Sequence, residues 1–314
     1  MLNRRHIRIK VMQTLFAFDG TEASNFNTNQ KFLLDSMDGM YDLYLLIMSL
    51  LIEIHKKSED QYKKLQNRLS HQAKNNQPTR YLIDNQLLLK LASNKLLTDT
   101  ITTRKINLWD LDFEYVDILY KNIVKSEFFD DYTKKKQPSF DDDKYFLLEV
   151  FKTIIAPNDK LYNYLEDKKI TWIDDLPIVN TSILKLLKQV KPTSQDNYFL
   201  PNLYKDEDDK QFAIQLFQKT ILNQSEFAEV LARKTTNWDS ERLATIDALL
   251  ITMAICEFQK FPSIPIKVTI NEYLEIAKEY STPKSSLFIN GILDNLAKEY
   301  QTNGTLNKVG RGLI

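Results

Sequence analysis

Cationic side chains are concentrated at the start of the chain, where Arg4, Arg5, Arg8 and Lys10 lie within ten residues that contain no acid, a local charge of about +4. A helix turns by about 100° per residue, which places the three arginines on one face. The apolar residues of the same stretch also repeat at helical spacing: Ile7, Val11, Leu15 and Phe18. The pattern predicts a helix that docks by its apolar side and presents guanidinium groups to solvent. The planar fork of a guanidinium suits phosphate oxygens.

Catalytic residue patterns are scarce elsewhere. The single cysteine, Cys256, follows the apolar run 253–255 and is expected in the core. The three histidines, His6, His55 and His71, are too scattered to predict a zinc site. The six glycines form neither a dinucleotide-binding nor a P-loop fingerprint. We therefore expect no catalytic residues, no metal, no cofactor and no small-molecule substrate.

Charge and length narrow the class of protein. The 314 residues contain 42 basic and 42 acidic side chains, so no global charge indicates a polyanionic partner. The longest apolar stretch, 43–52, is too short to span a bilayer, and no signal peptide is recognisable at the start. The expected location is the cytoplasm, without membrane association.

Helical periodicity continues along nearly the whole chain, and the prolines fall between helical patterns, so the predicted fold is all-α. The aspartate runs 141–143 and 206–209 each precede an apolar helical pattern, which predicts helix capping and not metal binding. Segment 142–172 matches 208–238 without a gap at a shift of 66 residues, ending on Trp172 and Trp238. This self-match indicates a degenerate duplication of a helical unit.

Two motifs near the C-terminus carry a more specific signal. Residues 270–280 fit the pattern I-N-E-x-x-E-x-A-K-x-Y, in which Tyr273 and Leu274 occupy the first two x positions. Residues 288–294 read F-I-N-G-I-L-D. Together with the N-terminal Arg4-Arg5-x-x-Arg8 and Gln13-x-Leu15-Phe16, this order closely resembles the NusB family of bacterial transcription antitermination factors. The resemblance covers about residues 4–18 and 206–297.

The resemblance implies a fold of two small helical bundles and an RNA-binding, non-enzymatic role. Members of this family form a heterodimer with the ribosomal protein NusE, bind the boxA element of nascent ribosomal RNA and act with the transcription elongation complex. The family's RNA contacts carry over to two groups in this chain: Arg4, Arg5, Arg8, Lys10 and Gln13 in the first helix, and Lys284, Ser285 and Phe288 before the N-G motif. The expected NusE contacts are Glu241 and Arg242. An aromatic ring at Phe288 could stack on an unpaired base.

The chain departs from the family pattern in length and at one motif position. The predicted organisation is a first helix in 1–20 packed on the C-terminal unit, a helical extension over 21–205, a NusB-like domain over 206–300 and a flexible tail over 301–314. Thr252 stands where the family usually has an arginine. Two alternatives stay open: a ribosome-assembly scaffold acting by protein contacts alone, and an RNA-binding domain related to rRNA cytosine methyltransferases without their catalytic domain.

Overall fold

The computed structural model describes residues 1–18, 26–66, 79–234 and 244–310. These ranges contain α-helices, short 3-10 and π segments and loops, with no strand among them, so the all-α prediction is confirmed. None of the helices in these ranges is both long enough and apolar enough to cross a membrane.

The chain packs as two units. The central unit comprises Met1 and Asp38–Leu203, and the terminal unit comprises Leu2–Met37 and Tyr204–Ile314. The sequence placed boundaries after residues 20 and 205. The first boundary differs because the start of the second helix packs within the terminal unit, where Phe26 lies 5.7 Å from Phe217 between ring centroids and Gln30 accepts a hydrogen bond from Gln218.

The first two helices are α1 (Arg4–Ala17) and α2 (Phe26–Gln66), and α2 supplies residues to both units. The other helices of the central unit are α3 (Thr79–Ile83), α4 (Gln86–Ala92), α5 (Lys95–Thr103), α6 (Leu108–Leu111), α7 (Glu114–Val124), α8 (Glu127–Thr133), α9 (Phe140–Val150), α10 (Asp159–Lys168) and α11 (Leu176–Gln189). A π-helical turn, Phe151–Ile155, follows α9 directly, and 3-10 turns occur at Ile170–Trp172 and Asp196–Phe199.

The remaining helices of the terminal unit are α12 (Glu207–Leu222), α13 (Gln224–Lys234), α14 (Thr245–Lys260), α15 (Ile266–Tyr280) and α16 (Ser285–Thr302). Helix α14 is the centre of this unit, because it packs against α1, α12, α13, α15 and α16. Its run from Met253 to Phe258 is buried almost completely, including Cys256, so the core position expected for the cysteine is confirmed.

Side-chain caps explain why the aspartate runs lie at helix starts. Asp206 accepts a hydrogen bond from the backbone of Asp209 at the start of α12. At α9, Ser139 and Asp142 form a reciprocal capping box. Both runs also place carboxylates in the first turn, where the helix dipole favours negative charge. The capping prediction is confirmed.

The two matching segments form comparable elements as far as they are described. Helix α9 with its π-helical turn corresponds to α12, and α10 corresponds to α13. Phe151 and Phe217, 66 positions apart, are both fully buried. Trp238 lies outside the described residues, and the duplication stays a prediction.

The last described residues, within the tail predicted over 301–314, make contacts with the rest of the terminal unit. Helix α16 continues to Thr302, and the backbone of Val309 donates a hydrogen bond to the carbonyl of Pro262 at 3.0 Å. Residues 301–302 thus belong to α16 and Val309 contacts Pro262, while the flexibility of the tail stays a prediction. Residues 311–314 lie outside the described part.

Candidate nucleic-acid interface

The start of α1 brings the predicted arginines against other helices of the terminal unit. Asn3 caps the helix by accepting a hydrogen bond from the backbone of His6. No acidic residue lies in the first turn of α1, so the charge there is balanced by carboxylates from distant parts of the chain. Packing of α1 against α12, α14 and α15 brings those carboxylates close.

Arg4 lies at the edge of this arrangement. Its Nε donates to Asp209 Oδ1 at 3.0 Å, and its guanidinium carbon lies 5.1 Å from the ring centroid of Phe212. The Arg4 side chain remains 43% exposed, whereas that of Asp209 is 8% exposed. Part of the guanidinium is therefore accessible to an external anion.

Arg5 makes a bidentate ion pair with Glu272 of α15. Its Nε and one terminal nitrogen donate to the two carboxylate oxygens at 2.9 and 3.0 Å. Hydrogen bonding from Arg5 lowers the pKa of Glu272 below its usual value, which keeps the carboxylate charged. The pair uses one edge of the guanidinium, and the Arg5 side chain is 39% exposed, so N–H groups on its other edge remain accessible.

Arg8 differs from its neighbours because it is buried. Its side chain is 2% exposed and donates to both carboxylate oxygens of Glu257, at 2.8 and 2.6 Å. Glu257 also accepts a hydrogen bond from the Thr269 hydroxyl at 2.6 Å. Burial opposes the charge of Arg8, but the Glu257 charge and hydrogen bonds outweigh that effect and raise the pKa of Arg8.

Two corrections to the predicted interface follow from burial. The expectation that Arg8 faces solvent is wrong. Arg8 lies on the same face of α1 as Arg4 and Arg5, but other helices pack over that face at the position of Arg8. Lys10 of α1 and Ser285 of α16 are also buried. None of these three side chains offers the free surface that direct RNA contact requires.

A cleft of about 750 Å³ opens beside the start of α1. Its polar lining includes the three arginines with Asn3 and Glu272. The rest of the lining comes from the turn between α14 and α15 and from the first turn of α15: Ser263, Ile264, Pro265 and Val268. The structure thus brings the N-terminal arginines together at one concave surface with an apolar wall.

The cluster around the cleft is close to neutral overall. Arg4, Arg5 and Arg8 contribute three positive charges, and their partners Asp209, Glu272 and Glu257 contribute three negative ones. The sequence does not predict these carboxylates as partners of the arginines, because each lies more than 200 residues from the arginine that it binds. The available signals were Glu257 within the apolar run of α14 and Glu272 within the I-N-E motif.

The predicted residues near α16 form a separate group that does not line this cleft. Lys284 is exposed and Phe288 is half-buried. The Ser285 hydroxyl donates to Asp247 Oδ2 at 2.7 Å, which anchors the start of the helix. Leu287, which the sequence did not single out, has 77% of its surface exposed.

Gln13 lies half-buried on α1, outside the cleft lining. The predicted NusE contacts Glu241 and Arg242 lie outside the described residues and stay predictions. Thr252, at the position where an arginine is usual, bonds through its hydroxyl to the Ala248 carbonyl at 2.8 Å.

The described residues contain no group of three side chains that could hold a metal ion. Burial raises the pKa of Cys256 to about 12, so the cysteine is a poor nucleophile at neutral pH. The chemistry that the arrangement offers is recognition by arginine hydrogen bonds and apolar contact.

The fold and the site define an all-α helical-bundle protein with an arginine-lined cleft. Over 112 residues the chain is 42% identical to the transcription antitermination protein NusB of Salinibacter ruber, a segment that covers 36% of this chain and 70% of that relative. The sequence model of the NusB family matches residues 181–298. The chain belongs to the NusB family.

Two further relatives carry the same name. The chain is 43% identical over 105 residues to the protein of Chloroherpeton thalassium and 39% identical over 94 residues to that of Koribacter versatilis. These segments cover 33% and 30% of this chain and 50% and 64% of the relatives. No solved structure matches the chain. Helix α1 lies outside the family match at 181–298, although it packs within the terminal unit.

Proposed function

We propose that this protein is a transcription antitermination factor that binds boxA-type single-stranded RNA of nascent ribosomal RNA transcripts together with NusE. Membership of the NusB family supports this function, as do relatives named transcription antitermination proteins. The proposed setting is the transcription elongation complex in the cytoplasm. We expect no catalytic activity.

The observation that carries the proposal is the pair of half-exposed arginines at the cleft. Arg4 and Arg5 expose 43% and 39% of their side chains beside a wall formed by Ile264, Pro265 and Val268. Guanidinium groups bind phosphate oxygens or stack on bases, and an apolar wall accommodates the face of an unpaired base. Single-stranded RNA offers both phosphates and exposed bases.

The ion pairs within the chain divide the arginines into two kinds. Arg4 and Arg5 keep 43% and 39% of their side chains exposed within their ion pairs, so a phosphate can bind guanidinium N–H groups that Asp209 and Glu272 do not use. Removing one partner of a buried pair costs about 3–5 kcal/mol, so Arg8 and Glu257 stay together. We therefore assign direct RNA contact to Arg4 and Arg5, and we assign Arg8 a supporting role beneath them.

The second proposed RNA surface is the start of α16. Lys284 is exposed and can contact phosphate, and Phe288 is half-buried. Gln13 remains a candidate polar contact, whereas the buried Lys10 and Ser285 support their helices. Glu241 and Arg242 remain the proposed NusE contacts.

A titration of boxA-like single-stranded RNA, with and without purified NusE and at several salt concentrations, tests the proposal. For single strands each phosphate contact contributes about 0.7 to the slope of log affinity against log salt. The double variant Arg4→Ala/Arg5→Ala should bind more weakly and reduce the slope by about 1.4. The matched control is Arg80→Ala/Arg233→Ala, which removes two arginines from exposed ion pairs elsewhere.

Equal slopes for the double variant and the unmodified protein would remove α1 from the RNA interface. Absence of RNA binding by the unmodified protein, with NusE still captured, would favour the alternative of a scaffold acting by protein contacts alone. That alternative has one observation in its favour, because the three arginines already have carboxylate partners in the chain.

A further inference from the structure

The chain reverses direction after α16 by means of a specific helix end. Gly304 has φ of +62°, in the left-handed region that glycine adopts without penalty. The backbone of Thr305 then donates to the Tyr300 carbonyl at 3.1 Å, the bond that defines a Schellman motif. This turn starts the C-terminal segment, defined as residues 303–310, on its course back to α14.

Lys308 and Val309 attach that segment to the end of α14. The Lys308 ammonium donates to the carbonyls of Glu257 and Phe261 at 3.3 and 3.0 Å. The Val309 backbone donates to the Pro262 carbonyl at 3.0 Å. Carbonyls at a helix C-terminus lack partners within the helix and carry partial negative charge, so a lysine is well suited to bind them.

The attached residues continue directly into the apolar wall of the cleft. The Phe261 carbonyl, which accepts a hydrogen bond from Lys308, also accepts one from the Ile264 backbone at 3.2 Å. Ile264 and its neighbours Ser263 and Pro265 line the same cleft as the arginines. One lysine thus binds the end of α14 and the start of the turn that forms this wall.

Lys308 directs its charge into the protein at this position. Its side chain is half-buried, and burial lowers the pKa of its ammonium. Two of its three N–H donors have backbone carbonyl partners. These contacts suit a residue that orders the turn better than one that reaches an RNA phosphate.

We propose that Lys308 is a positioning residue for RNA binding. The C-terminal segment holds the 261–265 turn so that the cleft shared with Arg4 and Arg5 keeps its shape. This role rests on the proposed RNA-binding function, but the ordering of the turn can be measured without RNA.

The experiment compares Lys308→Met, Lys308→Arg and the unmodified protein, with Lys298→Met as the control on the exposed surface of α16. Hydrogen exchange of the amides in 261–269 reports the order of the turn. Titrations of boxA-like RNA with NusE, at several salt concentrations, report affinity and salt slope. A variant that ends after Asn307 provides a second way to remove the contacts, and circular dichroism checks that each variant is folded.

We expect the amides of 261–269 to exchange faster in Lys308→Met and in the shortened variant. Both variants should bind RNA about fivefold more weakly, because the charged hydrogen bonds lost at Lys308 affect RNA only in part, through the neighbouring residues of the turn. Their salt slope should match that of the unmodified protein. Lys308→Arg should restore both properties, because a guanidinium also donates to carbonyls.

Unchanged exchange together with unchanged affinity would overturn the proposal. A slope reduced by about 0.7 in Lys308→Met would overturn it as well, since Lys308 would then bind a phosphate directly. If the unmodified protein binds no RNA, the proposed function fails. The exchange measurement then decides separately whether Lys308 orders the turn: faster exchange in Lys308→Met supports that part, and equal exchange rejects it.

Discussion

Asp143 in the central unit and Asp209 in the terminal unit occupy matching positions at the starts of α9 and α12, yet they bind different partners. Asp143 accepts hydrogen bonds from the Tyr132 hydroxyl at 2.6 Å and from the Gln86 backbone at 2.8 Å. Asp209 accepts one from the Arg4 guanidinium at 3.0 Å. A buried carboxylate is thus satisfied by neutral donors in one unit and by a half-exposed cation in the other.

The phenylalanines three residues further along differ in the same way. Phe146 stacks on Tyr132 with ring centroids 4.2 Å apart. Phe212 lies beneath the guanidinium groups of Arg4 and Arg8, each 5.1 Å from its ring centroid. Similar helix starts therefore support a core of neutral donors in the central unit and a cleft edge of paired arginines in the terminal unit. This difference is why we assign the RNA surface to the terminal unit.

The largest expected effect is on the buried ion pair of the terminal unit. Arg8→Met leaves Glu257 buried without its cation and should lower the free energy of unfolding by about 3–5 kcal/mol. Urea denaturation of the purified variant measures the loss. The double variant Arg8→Met/Glu257→Met should recover much of it, because the buried charge is also removed. A loss below about 1 kcal/mol in the single variant would mean that the pair is not buried in solution.

The neutral network of the central unit should be less sensitive. Asp143→Asn keeps one acceptor oxygen but replaces the other with an amide, and it should cost about 1–2 kcal/mol in unfolding free energy. Asp141→Asn on the same helix is the control, since Asp141 is exposed and should change stability by less than about 0.5 kcal/mol. Equal effects of the two substitutions would show that the hydrogen bonds of Asp143 add no more to the free energy of unfolding than an exposed aspartate does.

The carboxylates of Asp143 and Glu272 should also respond to acid in opposite directions. Burial raises the pKa of Asp143, so its contribution to stability is greatest at low pH and declines as pH rises from about 3.9 through the folded value. Hydrogen bonding from Arg5 lowers the pKa of Glu272, so its contribution is present above about 4.3 and is lost as pH falls through the folded value.

Urea denaturation between pH 3 and 6 tests these signs. The stability lost in Glu272→Gln should grow with rising pH, by less than about 1 kcal/mol because the pair is partly exposed. The stability lost in Asp143→Asn should shrink over the same range. Parallel trends in the two variants would contradict the difference between the two carboxylates.

The smallest expected effect is that of Arg4→Ala on stability. The Arg4 end of its ion pair with Asp209 is 43% exposed, so water can take the place of the guanidinium and the unfolding free energy should fall by about 0.2–1 kcal/mol. Thermal unfolding followed by circular dichroism is sufficient to measure this change. A loss above about 2 kcal/mol would make Arg4 a structural residue and would weaken its assignment to RNA.

The helices and the family could be predicted because their signals are local. Periodic apolar residues predicted α1 and an all-α fold, and the motifs around Glu272 and Gly291 indicated the NusB family. The aspartate caps were also predictable, because a capping residue and its partner lie within one helical turn.

The details of the site depend on contacts between residues distant in sequence. Helical spacing correctly placed Arg8 on the same face as Arg4 and Arg5. It gave no information about which part of that face other helices bury. Glu257 lies 249 residues from Arg8. The attachment of Lys308 could not be predicted for a related reason: its backbone partners lie about 50 residues away, and the turn at Gly304 leads back to them.

Photo-crosslinking tests most directly the claim that the terminal unit, and not the central unit, binds RNA. A boxA-like RNA containing 4-thiouridine would be crosslinked to the protein with NusE present, and the modified peptides identified by mass spectrometry. We predict crosslinks in residues 3–16, 263–272 and 284–288, with loss of those in 3–16 and 263–272 in Arg4→Ala/Arg5→Ala. Crosslinks concentrated in residues 79–203, unchanged in that variant, would contradict the assignment.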